Sequence, residues 1–249
     1  MNYYSIPTDE GGMDKNKGCA KAPAFLLDLF KVKGKEFSLQ GELEEKQEQI
    51  YTQAKEIFKN YDSTPKVFFG GTHDITGFTV KAFAEKNENA KLLIFDAHAD
   101  CEDAISITTH EDFVRMLIEE KIIKPENLLI IGLRHVSEIE KDFLKEHKIK
   151  NFYFEEIEES IGAISKITEA FVRNAEELYV SFDVDVLNSE KMRATGELPE
   201  GGLSNEQAEV LLTISLPKAK VIDLVEFNPE KIALNEEKLL FELFNKYFK

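Results

Sequence analysis

The sequence predicts an α/β fold: a parallel sheet with helices on both faces. Three observations carry this. Short apolar runs recur along the chain, they lack the polar/apolar alternation of half-exposed strands, and amphipathic stretches at helical spacing separate them without long breaks. At 249 residues an α/β chain commonly shares one core, so residues 1–249 are expected to form a single domain.

The elements follow in order. Leu43, Ile50, Ala54, Ile57 and Phe58 recur at helical spacing. "KVFFGG" (66–71) and "KLLIFDA" (91–97) read as buried strands, followed by a helix that carries Val114, Leu117 and Ile118. "NLLIIGLR" (127–134), "NFYF" (151–154) and "LYVSFDVDV" (178–186) are the next strand candidates. "LSNEQAEVLLTI" (203–214) opens with Ser204 and Gln207, a capping box. "KVIDLVEF" (220–227) is the last strand. "NEEKLLFELFNKYF" (235–248) then sets Leu240, Leu243, Phe244, Tyr247 and Phe248 on one helix face, which would suit a homo-oligomer contact. Crossovers in such a sheet are right-handed, and ligands gather beyond the carboxyl ends of its strands.

Composition narrows the function classes. The 43% hydrophobic content with 19 Phe is enough for a sizeable interior. A net charge of −16 argues against a nucleic-acid partner and for a cationic or metal-bearing one, although most of it reads as a solubilising surface. The two cysteines, Cys19 and Cys101, are far apart and form no CxxC, which fits a reducing compartment. "MNYYSIPTDEGG" lacks the basic and apolar regions of a secretory signal, and no apolar run approaches bilayer length. A cytoplasmic protein with no membrane partner is the expectation.

Four strand candidates run into ionisable residues. "KVFFGG" leads to Thr72, His73 and Asp74; "KLLIF" to Asp96, His98 and Asp100; "LYVSF" to Asp183 and Asp185; "KVIDLV" to Glu226. In an extended segment residues two apart face the same side. Asp96, His98 and Asp100 can therefore converge with His73, Asp183 and Asp185 on one centre. A lone His73 reads as a turn histidine and a lone Asp183-x-Asp185 as a strand end. Three ionisable groups at period two carry a large desolvation cost without a function. So many carboxylates cannot all stay ionised without a cation. Four aspartates and two histidines suit two divalent ions with bridging carboxylates, and oxygen-rich ligation favours Mn²⁺, with Fe, Ni, Co or Zn as alternatives. Two such ions can share a water, lower its pKa and deliver a hydroxide to an electrophilic carbon.

"GGTHD", "DAHAD" and "SFDVDVL" occur in the order and at the kind of spacing seen in the ureohydrolase (arginase/agmatinase) family, and the chain resembles that family. "ATGELPEGGLS", "VEFNP" and the N-terminal "DEGGMDKNKGCAKAP" are similar to its later segments and its opening loop. The resemblance implies a three-layer α/β/α fold around a mostly parallel, eight-stranded sheet. It also implies a centre of two Mn²⁺ per chain that hydrolyses guanidino groups to urea and an amine. Carried over position by position, it makes His73, Asp96, His98, Asp100, Asp183 and Asp185 the metal ligands. It adds His110 as proton shuttle and Glu226 as the acid that binds the guanidinium, with Asp100 in the catalytic set.

Two departures stand out. Thr72 replaces the family's usual Asp, as in formimidoylglutamase-type members, and Asn188-Ser189 replaces Asp-Pro. Arginases hold the substrate's α-carboxylate and α-ammonium with Asn and Ser from the loop before the active-site histidine. Here that loop, "CEDAISITT" (101–109), has no Asn and carries Glu102 and Asp103. A small cationic guanidino compound such as agmatine is therefore the expected substrate. A formimidoylglutamase, another guanidino-acid hydrolase and a metal-binding pseudoenzyme are the alternatives. Cys101 reads as a bystander pointing away from the metals, Arg134 as a brace, and His135 and His147 receive no role.

Overall fold

Eight strands form the sheet in a computed structural model that describes residues 1–59 and 64–248. They are β1 (Asn2–Ile6), β2 (Gly34–Glu36), β3 (Lys66–Gly70) and β4 (Lys91–Phe95), then β5 (Leu128–Leu133), β6 (Lys150–Tyr153), β7 (Leu178–Asp183) and β8 (Val221–Val225). Every pair is parallel, in the order β2-β1-β3-β8-β7-β4-β5-β6. Every residue of β3, β5, β7 and β8 is buried, as strands covered on both faces require.

The covering helices are α1 (Ala22–Phe30), α2 (Leu43–Lys59), α3 (Asp74–Ala84) and α4 (Phe113–Glu119), then α5 (Glu138–Glu146), α6 (Phe154–Arg173), α7 (Asn205–Ser215) and α8 (Glu236–Phe244). One core joins α1, α6, α7 and α8 to the sheet through residues such as Leu26, Ile164, Leu211 and Leu240. The other joins α2, α3, α4 and α5 through Ile50, Val80, Leu117 and Phe143. This is the three-layer α/β/α arrangement. The capping box at α7 forms: Ser204 Oγ accepts the Gln207 N–H, and Gln207 Oε1 accepts the Ser204 N–H.

β1 and β2 carry little of the signal that marks the other strands. β1 is "NYYSI" and β2 is a wholly exposed "GKE" at the sheet edge, where short, charged strands discourage further pairing. The apolar face of α8 is buried in the chain's own core at Leu239, Leu240, Leu243 and Phe244, with Phe241 and Tyr247 partly buried beside them. Among the described residues, no helix is long and apolar enough to cross a membrane.

β3, β8, β7 and β4 are the four central strands, and all four of the ionisable clusters follow them. The helices that follow β3 and β4 pack on one face of the sheet and those that follow β8 and β7 on the other, so the connections diverge at the β3–β8 and β7–β4 seams. A crevice at the carboxyl ends there is where α/β sheets bind ligands.

Candidate metal centre

The two aspartate motifs reach the crevice by turns, not by the extended alternation expected from sequence. β4 ends at Phe95, and Asp96 Oδ1 accepts the His98 N–H at 2.7 Å. β7 ends at Asp183, whose Oδ1 accepts the Asp185 N–H at 2.7 Å as it opens a 3₁₀ turn. An aspartate bonding to the backbone two residues on curls the chain, so the next side chain comes round to the same point. Asp100 and Glu226 complete the set from left-handed backbone, with φ of 51° and 61°.

The six expected ligands converge. His73 Nδ1 lies 2.8 Å from Asp96 Oδ2, 3.1 Å from Asp100 Oδ2 and 3.4 Å from Asp183 Oδ2. His98 Nδ1 lies 2.9 Å from Asp185 Oδ2 and 3.4 Å from Asp96 Oδ1. His73, Asp96 and Asp100 form one group able to hold an ion, and Asp96, His98 and Asp185 another, with Asp96 common to both. Separations near 3 Å are the edges of a coordination shell whose bonds are roughly 2.1 Å. The donors fit such ions. His73 Nδ1 and Asp96 Oδ2 are sealed from solvent and, although 2.8 Å apart, neither has a hydrogen-bond partner.

Protonation points the same way. Burial and the charge of Asp96 push Asp100 up to about 8. Burial, with Asp185 and Asp96, raises Asp183 well above the carboxylate range. Burial also works to raise Asp96, but the imidazoles of His73 and His98 outweigh it and hold that carboxyl low. Burial opposes charge on His73, and Asp100, Asp183 and Asp96 overcome it. Without a cation, these surroundings favour the protonated forms of Asp100 and Asp183.

A cavity of about 400 Å³ opens over this cluster, with His110 and Glu226 in its wall. Glu226 Oε1 accepts the His73 backbone N–H at 2.8 Å and faces His110 Nδ1 at 3.3 Å, while Oε2 accepts from Asn16 at 2.8 Å. Burial raises the Glu226 carboxyl, but His110 and Asn16 outweigh it and hold it below its ordinary range. His110 rises to about 9, because Glu226 more than offsets the opposing effect of burial. His110 Nε2 is buried without a partner.

Other residues complete the surroundings. His73 Nε2 meets Ser181 Oγ at 2.8 Å, and Ser181 donates to the buried Asp223 at 2.6 Å. Thr76 and Tyr179 donate to the same carboxylate. Asp223 was detectable in sequence as a charge inside the apolar run "VIDLV". Asn16 was not, since it sits among lysines in a loop. Thr72 donates to Asp74 at 2.7 Å, and burial pushes that carboxyl up to about 6. Arg134 braces the segment after β7 by donating to the carbonyls of Asp185, Val186 and Leu187. Cys101 is buried in the α2–α5 core, outside every metal-capable group among the described residues. His147 is half-buried against Phe143.

Known proteins place the chain. A model of the arginase family matches residues 6–240. An arginase from Staphylococcus aureus (strain COL) is 29% identical over 233 residues, covering 86% of this chain and 76% of its own length. The solved structure of formimidoylglutamase from Bacillus subtilis superposes with a TM-score of 0.90 at 18% identity, covering 100% of this chain and 86% of that one. That of Bacillus subtilis arginase gives 0.85 at 20% identity, covering 99% and 97%. The two structures share the fold. With the family's model spanning nearly the whole length, the chain belongs to the arginase family.

Proposed function

We propose that this chain is a binuclear, manganese-dependent amidinohydrolase that cleaves agmatine or a similar guanidinoalkyl cation to urea and an amine. The observation that supports it is the convergence of His73, Asp96, His98, Asp100, Asp183 and Asp185 beneath a cavity walled by His110 and Glu226. In this reading the six residues would hold two Mn²⁺. The chemistry such a centre would supply when loaded is a water of lowered pKa, nucleophilic toward the guanidinium carbon. Glu226, fixed by Asn16 and the His73 N–H, takes the guanidinium. Asp100 faces the cavity, where its carboxylate would hold a proton released on hydrolysis. His110, its Nδ1 turned to Glu226, gives a proton to the leaving amine through Nε2.

The cavity mouth favours a second cation at the far end of the substrate. Glu102, Glu111 and Glu197 line it against Lys15, and Lys15 is already shared between Glu111 and Glu197. The net acidic rim attracts an ammonium and repels a carboxylate. Asp103 adds nothing here, because Arg115 pairs with it at 3.1 Å. A guanidino-acid or formimidoylglutamate hydrolase is the second reading, favoured by Thr72, which stands at a position where formimidoylglutamase-type members also lack Asp. We expect kcat/KM at one Mn²⁺ concentration to rank agmatine ahead of arginine, 4-guanidinobutyrate and formimidoylglutamate. Arginine or formimidoylglutamate in front would overturn the substrate and leave the metal chemistry standing.

A further inference from the structure

We infer that Glu197 is a positioning residue for His98: it accepts the Nε2–H of that imidazole and leaves Nδ1 as the atom turned to the metals. The inference rests on the binuclear reading above. Its starting point is the orientation of His98, whose Nδ1 faces Asp96 and Asp185. An imidazole that offers a lone pair at Nδ1 keeps its proton on Nε2, and that N–H needs an acceptor to hold the tautomer and the ring. Nε2 is sealed from solvent and has no hydrogen-bond partner, yet Glu197 Oε2 stands 3.3 Å away. That oxygen is within reach of the N–H.

Glu197 is itself held from behind. Lys15 Nζ lies 2.8 Å from Glu197 Oε1 and also pairs with Glu111, the residue after His110. Gly196 brings the loop against the N-terminal segment so closely that a Cβ there would fall 2.9 Å from Asn16 Cβ. The carboxylate thus has a fixed seat behind the ring.

A competing use of the same atoms is a third ion held by His98, His135 and Glu197, whose donor atoms also lie together. That arrangement requires His98 to surrender both ring protons, since Nδ1 is already engaged. Orientation needs only one acceptor.

The test is Mn²⁺ titration of the metal-free full-length chain, counting ions and affinities by EPR and calorimetry, with circular dichroism to check folding. We expect two ions in the unaltered protein. Glu197→Ala should weaken one of them by about 10–100-fold. Glu197→Gln, whose amide oxygen still accepts, should recover most of the loss, and His135→Ala should change neither affinity. Lys15→Met, which removes only the anchor, should weaken the same ion to a smaller degree, and it decides the matter if Glu197→Ala does not fold. Two ions at full affinity in Glu197→Ala and Lys15→Met, or a third ion lost in His135→Ala, would overturn the inference. Fewer than two ions in the unaltered protein would instead remove the binuclear reading beneath it.

Discussion

Asp100 and Glu226 hold φ values of 51° and 61°, a region that disfavours residues with a side chain by roughly 1–2 kcal/mol. Both carboxylates line the cavity, so the strain lies where aim matters most. The same scale decides the role of His110. Replacing it with Asn should lower kcat by about 10²–10⁴-fold with both ions retained; a variant that lost its metal would show His110 to be a ligand. Its pairing with Glu226 also stabilises the fold. Glu226 raises His110 to about 9 against the effect of burial, whereas an unfolded histidine titrates near 6.5. A raised value means the contribution is complete below about 6.5 and is lost as pH climbs through about 9. Urea unfolding of the metal-free protein and His110→Asn should therefore converge over that interval, and a constant gap would remove the charged pair from the account. The ligand residues were legible because they crowd behind apolar runs. Lys15, Asn16 and Glu197 were not, because their partners are distant in sequence: Asn16 meets Glu226 across 210 positions.

Between β3 and α3 the chain turns through Gly71, whose N–H donates to Ile6 O while its carbonyl accepts the Glu226 N–H at 2.7 Å. A Cβ on Gly71 would stand 1.8 Å from the Thr8 carbonyl oxygen. Gly71→Ala should therefore destabilise by about 1–3 kcal/mol through forced displacement and loosen the ligands on either side. Gly162→Ala is the control: a Cβ there meets nothing within 4 Å, and in the α6 helix it should raise stability by up to about 1 kcal/mol. Urea midpoints moving together would refute the steric reading. Long buried strands and the α7 cap were readable because periodicity and Ser204-to-Gln207 spacing are local signals. The curls at Asp96 and Asp183 were not, because side-chain bonding to the backbone overrode the extended geometry that spacing alone suggests.

For the molecule as a whole, the aspartates set how metal and pH act together. Asp100 and Asp183 are raised, so folding without a cation disfavours their ionisation; the penalty grows above the unfolded aspartate value near 3.9, and for Asp100 it is complete past about 8. Melting curves with Mn²⁺ and with a chelator should accordingly diverge from pH 5 to 8; an unchanging difference would mean these carboxylates do not compete with metal for protons. The layers and parallel sense of the sheet were readable from the chain, but strand order was not, since nothing in a buried apolar run states its neighbour. That order bears on how the protein is made. β3 and β4 meet only through β8 and β7, the last two strands to leave the ribosome. Until β7 emerges β4 presents a bare edge, and until β8 emerges β3 does, and such edges invite pairing between chains. The centre therefore assembles last, and a nascent chain stalled before β7 is the form most prone to aggregate.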